Sequence, residues 1–294
     1  MSAADIAVQV FRKLEPEDFR VLLAIELAMV RYEYVPENSI SKLANILQRE
    51  IQHRLPRLEK SGLVRLWTGA YTGYALNYAG YDCLAINAFV KAGLIEAFGK
   101  PLGVGKESDV YDALTPSRKR VAIKFHRLGR ISFRQTRRKR GYVAQRRHIS
   151  WLYQSRLSAE TEFKALGLAY SHGVAVPEPG RQNRHAIVMG MIDGAELLNY
   201  NEIPEPQKVL DEILLSVRKT YLDAGIIHAD LSEYNIILKP DWHILIIDWP
   251  QFVRKDHPNA EQLLSRDVGN VVRFFNRKFG TKMTLKDALT FVSA

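Results

Sequence analysis

The chain has a single cysteine, Cys83, in 294 residues. A lone thiol excludes an internal disulfide framework and a CxxC-type zinc site. It points to a reducing cytoplasm, with Cys83 as a core filler rather than a nucleophile. No apolar run approaches the roughly 20 residues that span a bilayer, and the stretch MSAADIAVQVFRKLEPEDFR is charged too early for a secretory signal, so no membrane partner is expected. Acids are scarce relative to bases: 32 Asp and Glu face 42 Lys and Arg, for a formal net charge of +10. That excess predicts a polyanionic partner such as nucleic acid. The shortage is sharpest at 127–147, RLGRISFRQTRRKRGYVAQRR, which holds no acid. Such a run repels itself and is expected to be mobile without a ligand. There is no internal repeat and no long low-complexity linker.

What is present divides into two parts. Residues 1–85 read as short helices and a hairpin. Glu15–Asp18 offers acidic start signals for a helix over Phe19–Val30. A second helix begins at Ser39–Ala44 with serine as its cap, and a third covers Gln48–Ser61, stopped by Gly62 and carrying Pro56 as a cost. Leu63–Gly80 alternates β-formers around Gly69 and Gly73, which predicts a two-stranded wing. Three helices and a wing make a winged helix-turn-helix domain. A helix over Tyr81–Ala97 is expected to join the two parts, with residues 86–97 as the linker.

Residues 98–294 alternate strand-like runs (Val121–Phe125, Ala186–Met191, Ile236–Leu238, Ile244–Ile247) with helical stretches. The segment IIHADLSEYNIIL contains His-x-Asp-x-x-x-x-Asn as His228, Asp230 and Asn235, and Asp248 follows at the end of an apolar strand, eighteen residues after Asp230. This order suits phosphoryl transfer. Asp230 orients an acceptor hydroxyl or takes its proton, while Asn235 and Asp248 hold Mg²⁺ between phosphates. Upstream, GVGKESDVY presents Gly103, Val104, Gly105 and Lys106 as a phosphate-covering loop and Ser108 as a hydroxyl donor. Lys124, in VAIK, reaches the α and β phosphates of ATP. It needs an acidic partner on the helix Ser155–Gly173, which offers Glu160 and Glu162; Glu162, beside apolar Phe163 and Leu166, is the better placed. Met189, Gly190 and Ile192 read as the hinge, with backbone near Gly190 and Ile192 for adenine and Met189 behind it.

These motifs, with SWLYQSRLSAETEF, VAVPEPGRQNRHAIVM, IIDWPQ and HPNAEQLLSRDV, resemble the RIO family of atypical protein kinases, and the winged helix resembles its type-2 branch. The resemblance implies an α+β chain: a winged helix-turn-helix domain plus a trimmed bilobal kinase-like domain, with the N-lobe at about 98–190 and the C-lobe at about 191–294. It implies ATP and Mg²⁺ as cofactors, with Mn²⁺ as a substitute, and serine autophosphorylation, ATPase activity through phosphorylation of Asp248, or both. It further implies a role in small ribosomal subunit maturation, with the pre-small-subunit particle and its rRNA as partners. By motif, Asp230 is the catalytic aspartate, Asn235 and Asp248 are metal ligands, and Lys124 and Ser108 contact phosphate. Gly190 stands where an acidic hinge residue is usual, and Trp249 where many kinases have Phe.

Only 46 residues follow Asp248, with no Ala-Pro-Glu among them, so no conventional peptide groove is expected. The basic run, including Arg137, Arg138, Lys139 and Arg140, and the winged helix are then the candidates for RNA contact. Ser132 is the candidate autophosphorylation site, with Thr136 and Ser150 behind it. Two other readings stand beside this one. A small-molecule kinase of the aminoglycoside or choline type shares the catalytic motif but often has His-Pro-Gly where this chain has Ser232–Glu233–Tyr234. A winged-helix nucleic-acid regulator with nucleotide sensing would keep the lobe without the chemistry.

Overall fold

The computed structural model describes residues 2–129 and 151–294. The chain opens with α1 (Ala3–Phe11), a helix the sequence pattern had not singled out. Ser2 caps it in a reciprocal box with Asp5. Then come α2 (Pro16–Ala28), β1 (Val35–Pro36), α3 (Glu37–Ala44), α4 (Gln48–Lys60), β2 (Val64–Thr68), β3 (Thr72–Leu76) and α5 (Tyr78–Lys91). The hairpin β2–β3 is the expected wing, with β1 added on the free edge of β3.

Three local expectations shift. α3 starts at Glu37, so Ser39 lies inside the helix and caps nothing. Pro56 sits within α4 without ending it. The joining helix starts three residues earlier than expected, because Asn77 accepts from the Gly80 N–H at 3.1 Å, and it stops at Lys91. Residues 79–86 and Phe89 of α5 are buried, so this helix packs as core along most of its length. Cys83 lies there, fully buried, and burial pushes its thiol pKa well up.

A five-stranded antiparallel sheet follows, built from β4 (Ala97–Val104), β5 (Ser108–Leu114), β6 (Arg120–His126), β7 (Pro179–Asn183) and β8 (Ala186–Gly190) in the order β4-β5-β6-β8-β7. The helix α6 (Trp151–Ser171) packs against β6, β7 and β8. One apolar cluster runs without a break from Leu22, Ile25 and Phe89 of the helical part to Tyr111, Ile123, Phe125 and Val188 of the sheet. Side chains stitch the same seam: Arg184 holds Glu26 of α2 through paired contacts at 2.6 and 3.0 Å.

The basic run does not begin as a mobile loop. Arg127 is fully buried, ion-paired with Asp82 and Asp109, and Leu128 is buried beside it. Three nearby carboxylate oxygens compensate its charge, which composition alone did not reveal. Residues 130–147 of the run lie outside the described residues.

The remainder contains β9 (Ala195–Glu196), α7 (Pro206–Leu222), β10 (Ile226–Ile227), β11 (Ile236–Leu238), β12 (Ile244–Ile246), β13 (Val253–Arg254), α8 (Ala260–Phe279) and α9 (Leu285–Ser293). A second apolar cluster, with Trp249, Leu210, Val268 and Phe275, supports the loops between β10 and β12. Among the described residues, one short strand and two helices lie after Asp248. Among the described residues, no helix is long and apolar enough to cross a membrane.

Candidate active site

The loop between β10 and β11 is held from below by one carboxylate. Asp267 of α8 is buried; its Oδ2 accepts from the Ala229 N–H at 2.7 Å and its Oδ1 from the Leu231 N–H at 3.3 Å. Burial raises the Asp267 pKa, against the opposing pull of His228, Arg266 and the Ala229 N–H. Arg266 donates to the Ala229 carbonyl, and Asn270 Nδ2 to the Leu231 carbonyl at 3.0 Å. These contacts hold Ala229 in a left-handed conformation (φ 63°), which an alanine adopts only when its surroundings impose it. Asp230 follows directly and lines the cleft.

Asp248 is the other left-handed residue of the site (φ 67°). Its strand is locked to the His-x-Asp loop: the Ile247 N–H donates to Asn235 O at 2.9 Å, and His228 Nε2 donates to Ile247 O at 3.0 Å. His228 also packs on the fully buried Trp249 ring, whose Nε1 donates to Ile246 O. The histidine of the motif is therefore a strut rather than a group facing the cleft. Asn235 Nδ2 donates to Asp230 O at 2.8 Å, which assigns the amide orientation and leaves Oδ1 as the oxygen open to a ligand.

Lys124 bridges the two halves of the site. Its Nζ donates to Glu162 Oε1 at 2.7 Å and to Asp248 Oδ1 at 2.8 Å. Burial alone would depress the lysine; the carboxylates of Asp248 and Glu162 outweigh it and raise its pKa, so it is charged. Burial pushes Glu162 up, but Lys124 and His126 more than reverse this and hold it at about 2. Glu160 is partly exposed and pairs instead with Arg156 at 2.8 Å. Two helix positions separate the acids, so they project about 200° apart, and only one meets the strand.

These groups line a cleft of about 980 Å³ roofed by Gly103, Val104, Gly105, Lys106 and Ser108. A methyl group at Gly103 would meet nothing within 4 Å, and at Gly105 only Ser108 O at 3.3 Å, so the space beneath the loop is open to a ligand. Met189 also lines the cleft. Gly190 and Ile192 do not, and the Gly190 N–H is engaged by Glu178 O at 2.8 Å. An adenine there has to use other backbone groups of this segment. Ser132, Thr136, Ser150, Arg137, Arg138, Lys139 and Arg140 lie outside the described residues. The sequence reading missed Tyr234, Gln251, His257 and Arg266, which line the open end of the cleft. They are ordinary polar residues that adjoin the motifs and carry no signal of their own.

A lysine–glutamate pair under a glycine-bearing hairpin, a His-x-Asp loop on a buried aspartate and a strand-end aspartate facing them define a phosphotransferase of the protein-kinase class. Residues 109–288 match the family described as "RIO domain", and residues 11–92 match "Rio2, N-terminal". The chain is 46% identical to the RIO-type serine/threonine-protein kinase Rio2 of Methanocaldococcus jannaschii, over 85% of this chain and 92% of that protein. It is 38% identical to the serine/threonine-protein kinase rio2 of Schizosaccharomyces pombe, over 95% and 81% respectively. The Rio2 kinase of Chaetomium thermophilum, solved as an ADP/Mg²⁺-phosphoaspartate complex, superposes with a TM-score of 0.83 at 35% identity, over 97% of this chain and 88% of that one. The chain belongs to the RIO family of serine/threonine protein kinases, in its Rio2 branch: an ATP-dependent phosphotransferase behind a winged helix.

Proposed function

We propose that this chain is an autophosphorylating serine kinase and ATPase that acts on the maturing small ribosomal subunit, with the pre-subunit particle and its rRNA as partners. The observation that carries the reading is the triangle Lys124–Glu162–Asp248, which lines one open cleft with Asp230. Acceptor selection in this reading falls to surfaces outside the cleft. The excess positive charge and the winged helix favour a ribonucleoprotein.

In this reading Lys124 leaves Asp248 and clamps the nucleotide phosphates, with Glu162 keeping its charge oriented. Gly103, Val104, Gly105, Lys106 and Ser108 cover the phosphates, and Met189 backs the adenine, which bonds to backbone groups of that segment other than the engaged Gly190 N–H. Asp230 accepts the proton of the acceptor hydroxyl. Asn235 Oδ1 and the carboxylate oxygens of Asp248 are hard oxygen donors of the kind Mg²⁺ takes, and two protein ligands suit an ion that keeps its waters and phosphate oxygens. Magnesium supplies charge neutralisation at the transferring phosphoryl group, and Mn²⁺ is expected to serve in its place. The solved Chaetomium relative carries a phosphoaspartate; Asp248 is our assignment for the corresponding acceptor here. Cytoplasmic residence fits the lone buried cysteine.

The test is incubation with γ-labelled ATP and Mg²⁺, with and without small-subunit particles. Acid-stable label on Ser132 and particle-stimulated phosphate release support both activities; label that hydroxylamine removes supports the aspartyl route. Turnover stimulated only by a small cationic alcohol would overturn the reading in favour of a small-molecule kinase.

A further inference from the structure

His126 and Ser158 stand next to the Lys124–Glu162 pair, yet the phosphotransfer described above uses neither. His126 follows Lys124 by two positions on β6, so both side chains leave the strand on one face. Ser158 precedes Glu162 by four positions on α6 and shares its face. All four residues are buried. Glu162 divides its carboxylate: Oε1 accepts from Lys124 at 2.7 Å, while Oε2 lies 3.0 Å from His126 Nε2. The other ring nitrogen meets Ser158 Oγ at 3.1 Å. The Nε2–Oε2 approach is a close polar contact outside hydrogen-bond geometry, and neither Nε2 nor Oε2 has a hydrogen-bond partner among the described residues.

The partners dictate the tautomer. Burial keeps the imidazole neutral, against the opposing pull of Glu162. A neutral ring facing a carboxylate with Nε2 must carry its proton there, which leaves Nδ1 to accept from the Ser158 hydroxyl. The Ser158 Oγ–H then bonds to Nδ1 and the Nε2–H lies on the Glu162 side of the ring, a polar contact of one consistent direction. It matters because Lys124 has two carboxylate partners, one of which it must release to meet a nucleotide. A glutamate tied only to the lysine would be free to follow it. Tied at the second oxygen to its neighbour on the same strand, it is fixed.

We propose that His126, oriented by Ser158, is a positioning residue for phosphotransfer: it pins Glu162 so that Lys124 stays aimed into the cleft when it exchanges Asp248 for nucleotide phosphate. The proposal rests on ATP being the nucleotide of this cleft.

The test compares His126→Phe, which keeps the bulk and loses both the Ser158 hydrogen bond and the polar contact with Glu162, with His126→Gln, which keeps an N–H donor near the Nε2 position, and with Ser158→Ala, each alone and combined with Glu162→Gln in the full chain. Mg–ATP affinity and steady-state turnover are both read. His126→Phe is expected to raise the KM for ATP about tenfold with a smaller fall in kcat, and His126→Gln to recover to within about threefold. Ser158→Ala should fall between them. On the Glu162→Gln background, His126→Phe should add less than about twofold. Equal losses in the Phe and Gln variants, or a full multiplicative loss on that background, would overturn the proposal. If His126→Phe does not fold, judged by its urea midpoint, an unchanged KM in Ser158→Ala overturns it and a raised one upholds it. Wild-type protein that binds Mg–ATP without turnover would fail the phosphotransfer reading instead, and the affinity arm would still decide this one.

Discussion

Arg127 and Asp82 form a buried bidentate pair, Nη1 to Oδ1 and Nη2 to Oδ2, both at 2.7 Å. Asp82 belongs to α5 of the N-terminal helical part, whereas Arg127 immediately follows β6 of the kinase sheet. Its Nε reaches Asp109 Oδ2 at 2.9 Å, and the Tyr78 and Phe125 rings lie about its guanidinium at 5.1 and 5.0 Å. The winged helix and the nucleotide lobe are therefore joined by charge as well as by the continuous apolar cluster.

Removing this arginine leaves two carboxylates buried without their cation. Arg127→Ala is expected to cost about 3–5 kcal/mol, read from urea unfolding at neutral pH. A loss under about 1 kcal/mol would show that water reaches Asp82 and Asp109 in place of the guanidinium.

The same cluster predicts a pH dependence. His185 is fully buried, with Nε2 at 2.6 Å from Asp82 Oδ1 and Nδ1 without a hydrogen-bond partner among the described residues; burial pushes its pKa down to about 4, despite Asp82. Below pH 6.5 the unfolded chain binds a proton that the folded ring refuses, so stability falls as pH drops from about 6.5 toward 4 and is unaffected above that window. His185→Phe should flatten this slope, narrowing the loss between pH 7 and pH 5 by about 2 kcal/mol. Parallel curves for the two proteins would refute it.

The choice between neighbouring acids is open to a direct comparison. Glu162→Gln is expected to lower kcat/KM for ATP at least about tenfold, because a buried charged hydrogen bond to Lys124 is lost. Glu160→Gln breaks only an exposed i,i+4 pair with Arg156 and should stay within about twofold.

Asp230→Ala and Asp248→Ala should each lower ATP turnover by at least about 10²-fold while the urea midpoint stays near wild type, since both side chains are solvent-accessible in the cleft. Retained turnover in both variants would remove the chemistry from this loop and strand.

A further prediction concerns the winged helix. Arg54 of α4 is engaged by Glu15 and Asp18 at 2.8 and 2.9 Å and by Glu50 at 2.8 Å, so it is not free to contact a base edge. In the ribonucleoprotein reading, filter binding across salt should favour structured RNA over duplex DNA. A duplex preference that depends on Arg54 would restore the regulator reading.

The sequence by itself determined the chemistry and the order of its parts. That Asp230, Asn235, Asp248 and Lys124 share one cleft could be anticipated because each sits in a short motif whose spacing is set locally, by a loop between two apolar strands or by alternation along one strand. The wing and its flanking helices were legible for the same reason. The tertiary structure alone decided which groups meet across long separations. Nothing near Arg127 in the chain marks it as core; its partners are 45 and 18 residues away, on α5 and β5. His228 reads as part of the catalytic motif, yet it faces Ile247 O and Trp249. His126 carries no motif signal, and its place beside Glu162 arises only when α6 is laid against β6. Local propensity and spacing are encoded within a few residues, whereas burial of a charge is stabilising only if distant partners arrive, and that is a property of the packed chain.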